Sequence, residues 1–304
     1  MRIMSIGLVI LAIFICSGMI IHYRGQVRYP FARQLTSHTN LTAPYNVFIY
    51  LFSKIPNIPY PKVEEYYPEL KILEDNWETI RDEAIALAKA QLIKPSDNYD
   101  DLAFNSFFRT GWSRFYLNWY DDFLPSALEH CPKTVELVKQ IPYMKAAMFA
   151  SLPPGATLTE HRDPFAGSMR YHLGLITPNS EKCNINVDGQ KYWWKDGEAV
   201  IFDETFIHVA TNQSEDQRIV LFADISRPLR YAWADKINQW VSNYLVKFSA
   251  AKNEASESVG FLDRVFGVLY YGRLAGKKLK LINRKLYYVV KYLLFAFLIW
   301  AIFL

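Results

Sequence analysis

Cysteine is scarce in this chain: Cys16, Cys131 and Cys183 are the only three in 304 residues. They are odd in number, far apart, and part of no CxxC or Cys/His zinc spacing, which argues against a disulfide framework and fits a reducing compartment. A strong charge imbalance is lacking too. A formal net charge of +4 is too mild to mark a nucleic-acid binder, so where the charges sit matters more than their sum. Internal repeats are absent. Aromatic residues, by contrast, are plentiful: 20 Tyr, 20 Phe and 8 Trp suit a large β core or a membrane-associated protein.

Both ends are apolar. Residues 3–21 form an uncharged run close to the roughly 20 residues a bilayer-spanning helix needs. No A-x-A cleavage site follows it, and Ile13-Phe14-Ile15 before Cys16 lacks the small residue of a lipoprotein signal, so the run reads as an uncleaved anchor. Residues 286–304 form a second apolar segment interrupted by Lys291, which lies near enough to its start to snorkel, beside Tyr287, Tyr288 and Tyr292. Arg24, Arg28 and Arg33 follow the first segment; Lys277, Lys278, Lys280, Arg284 and Lys285 precede the last. Both basic clusters face the middle of the chain, so the positive-inside bias places residues 24–285 in the cytoplasm.

Between the anchors, residues 22–68 are rich in Pro and Tyr and read as an extended or irregular lead-in. Apolar residues at helical period predict a helix over 70–92, and a second over 126–140 ending before Pro142. From Tyr143 the pattern changes to short runs of Val, Ile, Phe, Tyr and Thr between turn signals, with Asp188-Gly189 as a hairpin turn. Residues 69–228 are therefore read as one domain, helical at first, with a β core of jelly-roll type over 143–228. Helical character returns over 232–248 and 261–274, separated by a polar loop over 250–258, so 229–285 reads as a helical, basic juxtamembrane region. Its basic, aromatic part over 264–292 is either a solvated face or a surface for anionic headgroups.

The chemistry concentrates in the β region. In His161-Arg162-Asp163-Pro164, period two on a strand puts His161 and Asp163 on the same face. His208, in the apolar run Phe206–Val209, supplies a second imidazole. Two His and one carboxylate make a facial triad with open positions, the ligand set of non-heme Fe(II) oxygenases. Arg218 opens a further strand, and a guanidinium holds a carboxylate through two parallel hydrogen bonds better than an ammonium can. Arg170 and His172 lie two apart on a strand expected over 169–176 and can face the same cavity. Asp203 and Glu204 read as turn or supporting groups, and His22, His38 and His130 show no partner pattern. Trp112, Arg114, Trp119 and Tyr120 are suited to a lipid groove or to ordinary packing.

The stretch from about Tyr143 to Pro228 resembles the aspartyl/asparaginyl β-hydroxylase family of Fe(II)- and 2-oxoglutarate-dependent dioxygenases. The resemblance rests on Pro154-Gly155, His161 to Pro164, Arg170-Tyr171-His172-Leu173-Gly174-Leu175, Ile201 to Phe206 with His208, and Arg218. It implies that His161 and His208 bind iron and that Arg170, His172 and Arg218 hold 2-oxoglutarate, with dioxygen as the other co-substrate. The family's protein hydroxylases carry Gly where this chain has Asp163, which restores a full triad. The two terminal segments and the HxD motif look like the branch of bacterial lipid A acyl-chain 2-hydroxylases. That likeness implies hydroxylation at C2 of a secondary acyl chain of lipid A at the inner membrane, with succinate and carbon dioxide as co-products. The expected fold is a jelly roll (double-stranded β-helix) with flanking helices and a transmembrane helix at each end, its partners a membrane and its lipid, not nucleic acid. A protein aspartyl/asparaginyl β-hydroxylase and a non-catalytic membrane-tethered binding module are the competing readings; oligomeric state is left open.

Overall fold

In the computed structural model, residues 2–95, 107–120, 122–246, 252–253, 276 and 278–303 are described. Two antiparallel sheets form the centre. The larger runs β2 (Asp122–Phe123), β1 (Ser113–Trp119), β3 (Met144–Leu152), β9 (Arg218–Ser226), β4 (Ser168–Ile176) and β7 (Ala199–Phe202), in that order. The smaller runs β6 (Gln190–Trp193), β5 (Cys183–Val187) and β8 (His208–Asn212). Neighbours in space are distant in sequence, as in the expected double-sheet jelly roll. The hairpin between β5 and β6 turns on Asp188 at φ 52° and Gly189 at φ 87°, a left-handed pair that glycine makes cheap.

Strands β4 and β9 lie side by side in the middle of the larger sheet, Arg170 opposite Asp224 and His172 opposite Phe222. Period two sends Arg170, His172, Arg218, Phe222 and Asp224 to one face, and Tyr171, Leu173, Leu221 and Ala223 to the other. The apolar face is covered by helices: α6 (Trp77–Lys89) packs on β4 and α8 (Pro132–Lys139) on β3. Both faces of these strands are buried almost without a break. The polar face looks into the interior, and there the site is built.

Several expectations are corrected. The strand meant to carry His161 is reduced to two isolated bridges beside β8, Thr157 with Thr211 and His161 with His208. Four residue steps on one side face three on the other, so a bulge interrupts the ladder just before His161. The sheet also begins earlier than residue 143, at Ser113, because β1 is buried along its whole length and shows no alternation. The helix expected over 70–92 is broken into α5 (Lys71–Asp75) and α6 at Asn76, whose side-chain amide donates to the Ile72 carbonyl at 2.8 Å. That over 126–140 is two helices, α7 (Pro125–His130) and α8, because Pro132 lacks an N–H and begins a new first turn.

The lead-in is more helical than its prolines suggest. It holds α2 (Phe31–Leu35), a 3₁₀ turn over His38–Asn40, α3 (Ala43–Phe52) and α4 (Val63–Tyr66). Pro44 sits in the first turn of α3, where its missing N–H costs nothing. Beyond β9, α9 (Ala232–Val241) gives way to a π-helical turn over Ser242–Val246, and the last two residues of the helix expected over 232–248 lie outside the described residues. The helix expected over 261–274 lies outside the described residues, as does nearly all of the loop over 250–258. At the ends stand α1 (Arg2–Tyr23) and α10 (Arg284–Phe303), which contact each other. Among the described residues, Ile6–Tyr23 of α1 is the segment long and apolar enough, by length and composition, to cross a membrane.

Candidate active site

His161, Asp163 and His208 come together with ligand atoms within 4.8 Å of one another. The two histidines form one rung of backbone pairing: His161 N–H donates to the His208 carbonyl at 3.0 Å, and His208 N–H returns the bond at 2.8 Å. Their rings lie 4.2 Å apart, centroid to centroid, and His161 Nε2 is 3.5 Å from Asp163 Oδ1. Each ring is oriented the same way. His161 Nδ1 lies 2.7 Å from the Thr159 carbonyl, and His208 Nδ1 lies 3.0 Å from the Phe206 carbonyl. A carbonyl only accepts, so each Nδ1 carries the proton and each Nε2 lone pair is left for a metal. Burial, then the neighbouring His161, pushes His208 down to about 3, which keeps it neutral and able to ligate. This donor set suits Fe(II) with positions to spare.

Asp163 is held from behind. Arg170 Nη2 donates to its Oδ2 at 3.0 Å, Arg170 Nε donates to Asp224 at 2.7 Å, and the same guanidinium pairs with Glu204 and lies over the Phe222 ring. Burial raises the Asp163 carboxyl, but Arg170, His161 and His208 outweigh it and hold the group below its ordinary value. Three acidic side chains share one cation; burial drives Glu204 well above the ordinary carboxylate value and raises Asp224 as well. Arg170, expected to hold 2-oxoglutarate, is thus already engaged by protein carboxylates, and its position fits a clamp on Asp163.

Deeper in, rings lead away from the triad: Phe202 stands 5.7 Å from His208 and 5.1 Å from His172. Trp194 Nε1 donates to His172 Nδ1 at 3.2 Å, which fixes the neutral tautomer with its proton on Nε2. Burial, then Arg218 and Arg170, drives His172 well below its usual value. His172 Nε2 is buried with no hydrogen-bond partner, and so is Arg218 Nε. The Arg218 guanidinium lies 4.4 Å over Trp194 and is 2% exposed; burial lowers it to about 10, still charged at neutral pH. An orphan imidazole N–H and an orphan guanidinium, both buried beyond a metal triad, are what a dianionic oxo acid requires.

The family model for Aspartyl/Asparaginyl beta-hydroxylase matches residues 74–228, about half of the chain. The chain belongs to that family. Among its relatives is the ornithine lipid ester-linked acyl 2-hydroxylase of Rhizobium tropici, 39% identical over 122 residues that cover 40% of this chain and 43% of that one. The human aspartyl/asparaginyl beta-hydroxylase is 28% identical over 176 residues, 55% of this chain and 22% of its own. The chain spans about half or less of the length of such relatives. Among solved structures, a Pseudomonas putida prolyl-4-hydroxylase aligns over 55% of this chain and all of its own, with a TM-score of 0.39 and 15% identity.

In this member of the family, the loop that carries the first two triad residues is gripped by α1, the lead-in and α9, which no sequence signal had marked. Arg162, between the two, donates to the Ile21 carbonyl at 3.0 Å, in the last turn of α1. Arg33 Nη2 donates to the Glu160 carbonyl at 3.0 Å. Asn46 donates to the Pro164 carbonyl at 2.9 Å and accepts from Ala166 N–H at 2.9 Å; Asn238 donates to the Gly167 carbonyl at 2.9 Å. Arg24, just past α1, pairs with Asp203, whose second cation is Arg227. The Phe107 ring lies 4.8 Å from His161 and walls the triad on one side. Trp112, Arg114, Trp119 and Tyr120 are all buried, which accords with packing.

Proposed function

We propose that this protein is an Fe(II)- and 2-oxoglutarate-dependent dioxygenase that hydroxylates C2 of an ester-linked fatty acyl chain on a membrane lipid. His161, Asp163 and His208 hold the iron, which when bound supplies activation of dioxygen coupled to oxidation of the 2-oxo acid. Arg218 receives the far carboxylate of 2-oxoglutarate and His172 Nε2–H donates to it, while Arg170 keeps Asp163 ionised and aimed. Trp194 holds both Arg218 and His172 in place.

The observation that carries the lipid reading is the Arg162 bond to the end of α1, because it fixes the metal loop to an apolar helix of membrane-spanning length. Tethering of this kind replaces a search in three dimensions by a high effective concentration of lipid. The basic residues after α1 and before α10 support an orientation with the site on the cytoplasmic side of a bacterial inner membrane and α10 as a second span. The name of the Rhizobium tropici relative supports the reaction type; lipid A and ornithine lipid are the two acyl-bearing substrates in view.

The test is mass spectrometry of products after the full-length protein acts on lipid A and on ornithine lipid in separate vesicles, with iron, ascorbate and 2-oxoglutarate. Gain of one oxygen atom on an acyl chain is expected for one of them. Steady 2-oxoglutarate turnover with hydroxylated Asp or Asn in a peptide, and no lipid product, would replace this reading with that of a protein hydroxylase.

A further inference from the structure

The helices that grip the metal loop leave a second, unpartnered face. Helix α9 buries Ala234 and Asn238 toward the loop and turns Trp233, Ile237 and Trp240 outward, at a spacing that puts them on one stripe. Trp240 is 59% exposed and Trp233 50%. Trp233 packs at its base on Phe52 and Phe48 of α3, centroids 4.9 and 5.8 Å away, which joins α9 to α3. Helix α3 in turn packs against α1 and exposes Leu51 at 67%. On α2 and just beyond it, also against α1, Leu35 is 58% exposed and Leu41 77%.

These residues are too many and too apolar for a surface left in water. Every element that bears them touches α1 or touches a helix that does. Exposed Lys236 lies on α9, and exposed Arg28 and Arg230 lie in the segments just before α2 and α9. Large aromatic and aliphatic groups with cations beside them, next to the end of a spanning helix, match the composition of a membrane–water interface.

We propose that α2, α3 and α9 form a collar around the end of α1 that rests in the headgroup region of the same leaflet, with Leu35, Leu41, Trp233, Ile237 and Trp240 immersed. The occupant of this face is the lipid surface itself. The collar also holds the metal loop, through Asn46 and Asn238 from its inner side and Arg33 at Glu160. Immersion therefore presents the triad to acyl chains that never leave the bilayer. This deepens the lipid reading above and rests on it.

The experiment places a nitroxide label at Leu41→Cys, Trp240→Cys or Leu128→Cys, each with Cys16→Ser, in the full-length protein. Leu128 is an exposed leucine of α7, outside the collar, and Cys131 and Cys183 are buried. Each protein is reconstituted in phosphatidylethanolamine–phosphatidylglycerol vesicles and its association confirmed by flotation. Relaxation by dissolved oxygen, which partitions into lipid, is compared with relaxation by an aqueous nickel chelate. The expected result is loss of chelate relaxation with strong oxygen relaxation at positions 41 and 240, and the reverse at 128. Chelate access at 41 and 240 equal to that at 128, in protein that floats with the vesicles, overturns the collar but leaves the anchor intact. Shielding from both reagents overturns it in favour of a protein cover, such as a second copy. Failure to float with the vesicles overturns the membrane reading and the collar together.

Discussion

Two arginines stand buried in the same interior, on paired strands, with opposite surroundings. Arg170 on β4 is met by Asp163, Asp224 and Glu204. Arg218 on β9 meets the Trp194 ring, with its Nε unsatisfied. A buried cation without a partner is costly, and a fold keeps one only where something outside the chain completes it. On the function proposed above, the partnered arginine would aim Asp163 at the metal and the bare one would receive the co-substrate. Residue type alone puts both in one class; their partners separate them.

The comparison is broken most severely at the carboxylate that Arg170 aims. Asp163→Ala is expected to cost more in hydroxylation than the roughly 10- to 100-fold typical of losing a group that only supports a ligand, read as product formed and iron retained. Arg170→Met leaves Asp163, Asp224 and Glu204 without their shared cation and should lower unfolding free energy by about 3–5 kcal/mol, seen as a lower urea midpoint. Arg218→Met should do the opposite. It removes an unpaired buried charge, so the ligand-free protein becomes more stable by about 1–3 kcal/mol. It also loses the stabilisation of about 2.7 kcal/mol that 2-oxoglutarate at 100 times its Kd would confer on the wild type, measured by thermal shift. If both arginine variants move stability in the same direction, the distinction fails.

A smaller effect follows from pH. His208 and His172 are both depressed in the folded protein, so the unfolded chain binds more protons below its ordinary histidine value of about 6.5. The stability they support is present above that pH and is lost as pH falls toward the folded His208 value of about 3. Glu204 and Asp224, raised in the folded protein, act in the opposite sense over the same range, so the readout is a difference: between pH 7 and 5 the urea midpoint of metal-free His208→Gln should fall less than that of the wild type. Glu204→Gln should do least: burial holds the carboxyl well above its ordinary value, toward the neutral form that the amide resembles, so a shift in stability of under about 1 kcal/mol is expected.

How much of this was legible in the chain depends on how local the signal is. His161, Asp163 and His208 were legible because two lie within one short motif and the third sits in an apolar run. Arg170, His172 and Arg218 were placed on the right strands by alternation. Their division of labour was not legible, since it depends on Asp224, which pairs with Arg170 across 54 residues of sequence. Arg162 stood in plain view between two ligands, yet its partner Ile21 is 141 residues away. Asn46 and Asn238 carry no pattern at all. The breaks at Asn76 and Pro132 are a different case: Pro132 was a readable stop inside the expected helix, hidden by the apolar period that continues on both sides of it.

The bond from Arg162 to Ile21 has a consequence for regiochemistry. The methylenes of a fatty acyl chain are nearly alike in reactivity and offer no hydrogen-bonding group by which one is told from the next. On the lipid reading proposed above, with the triad loop tied to the end of the apolar helix α1, selection would become a matter of length. The loop would act as a ruler whose zero is the bilayer surface, and the carbon attacked would be the one that a headgroup, held at that surface, leaves within reach.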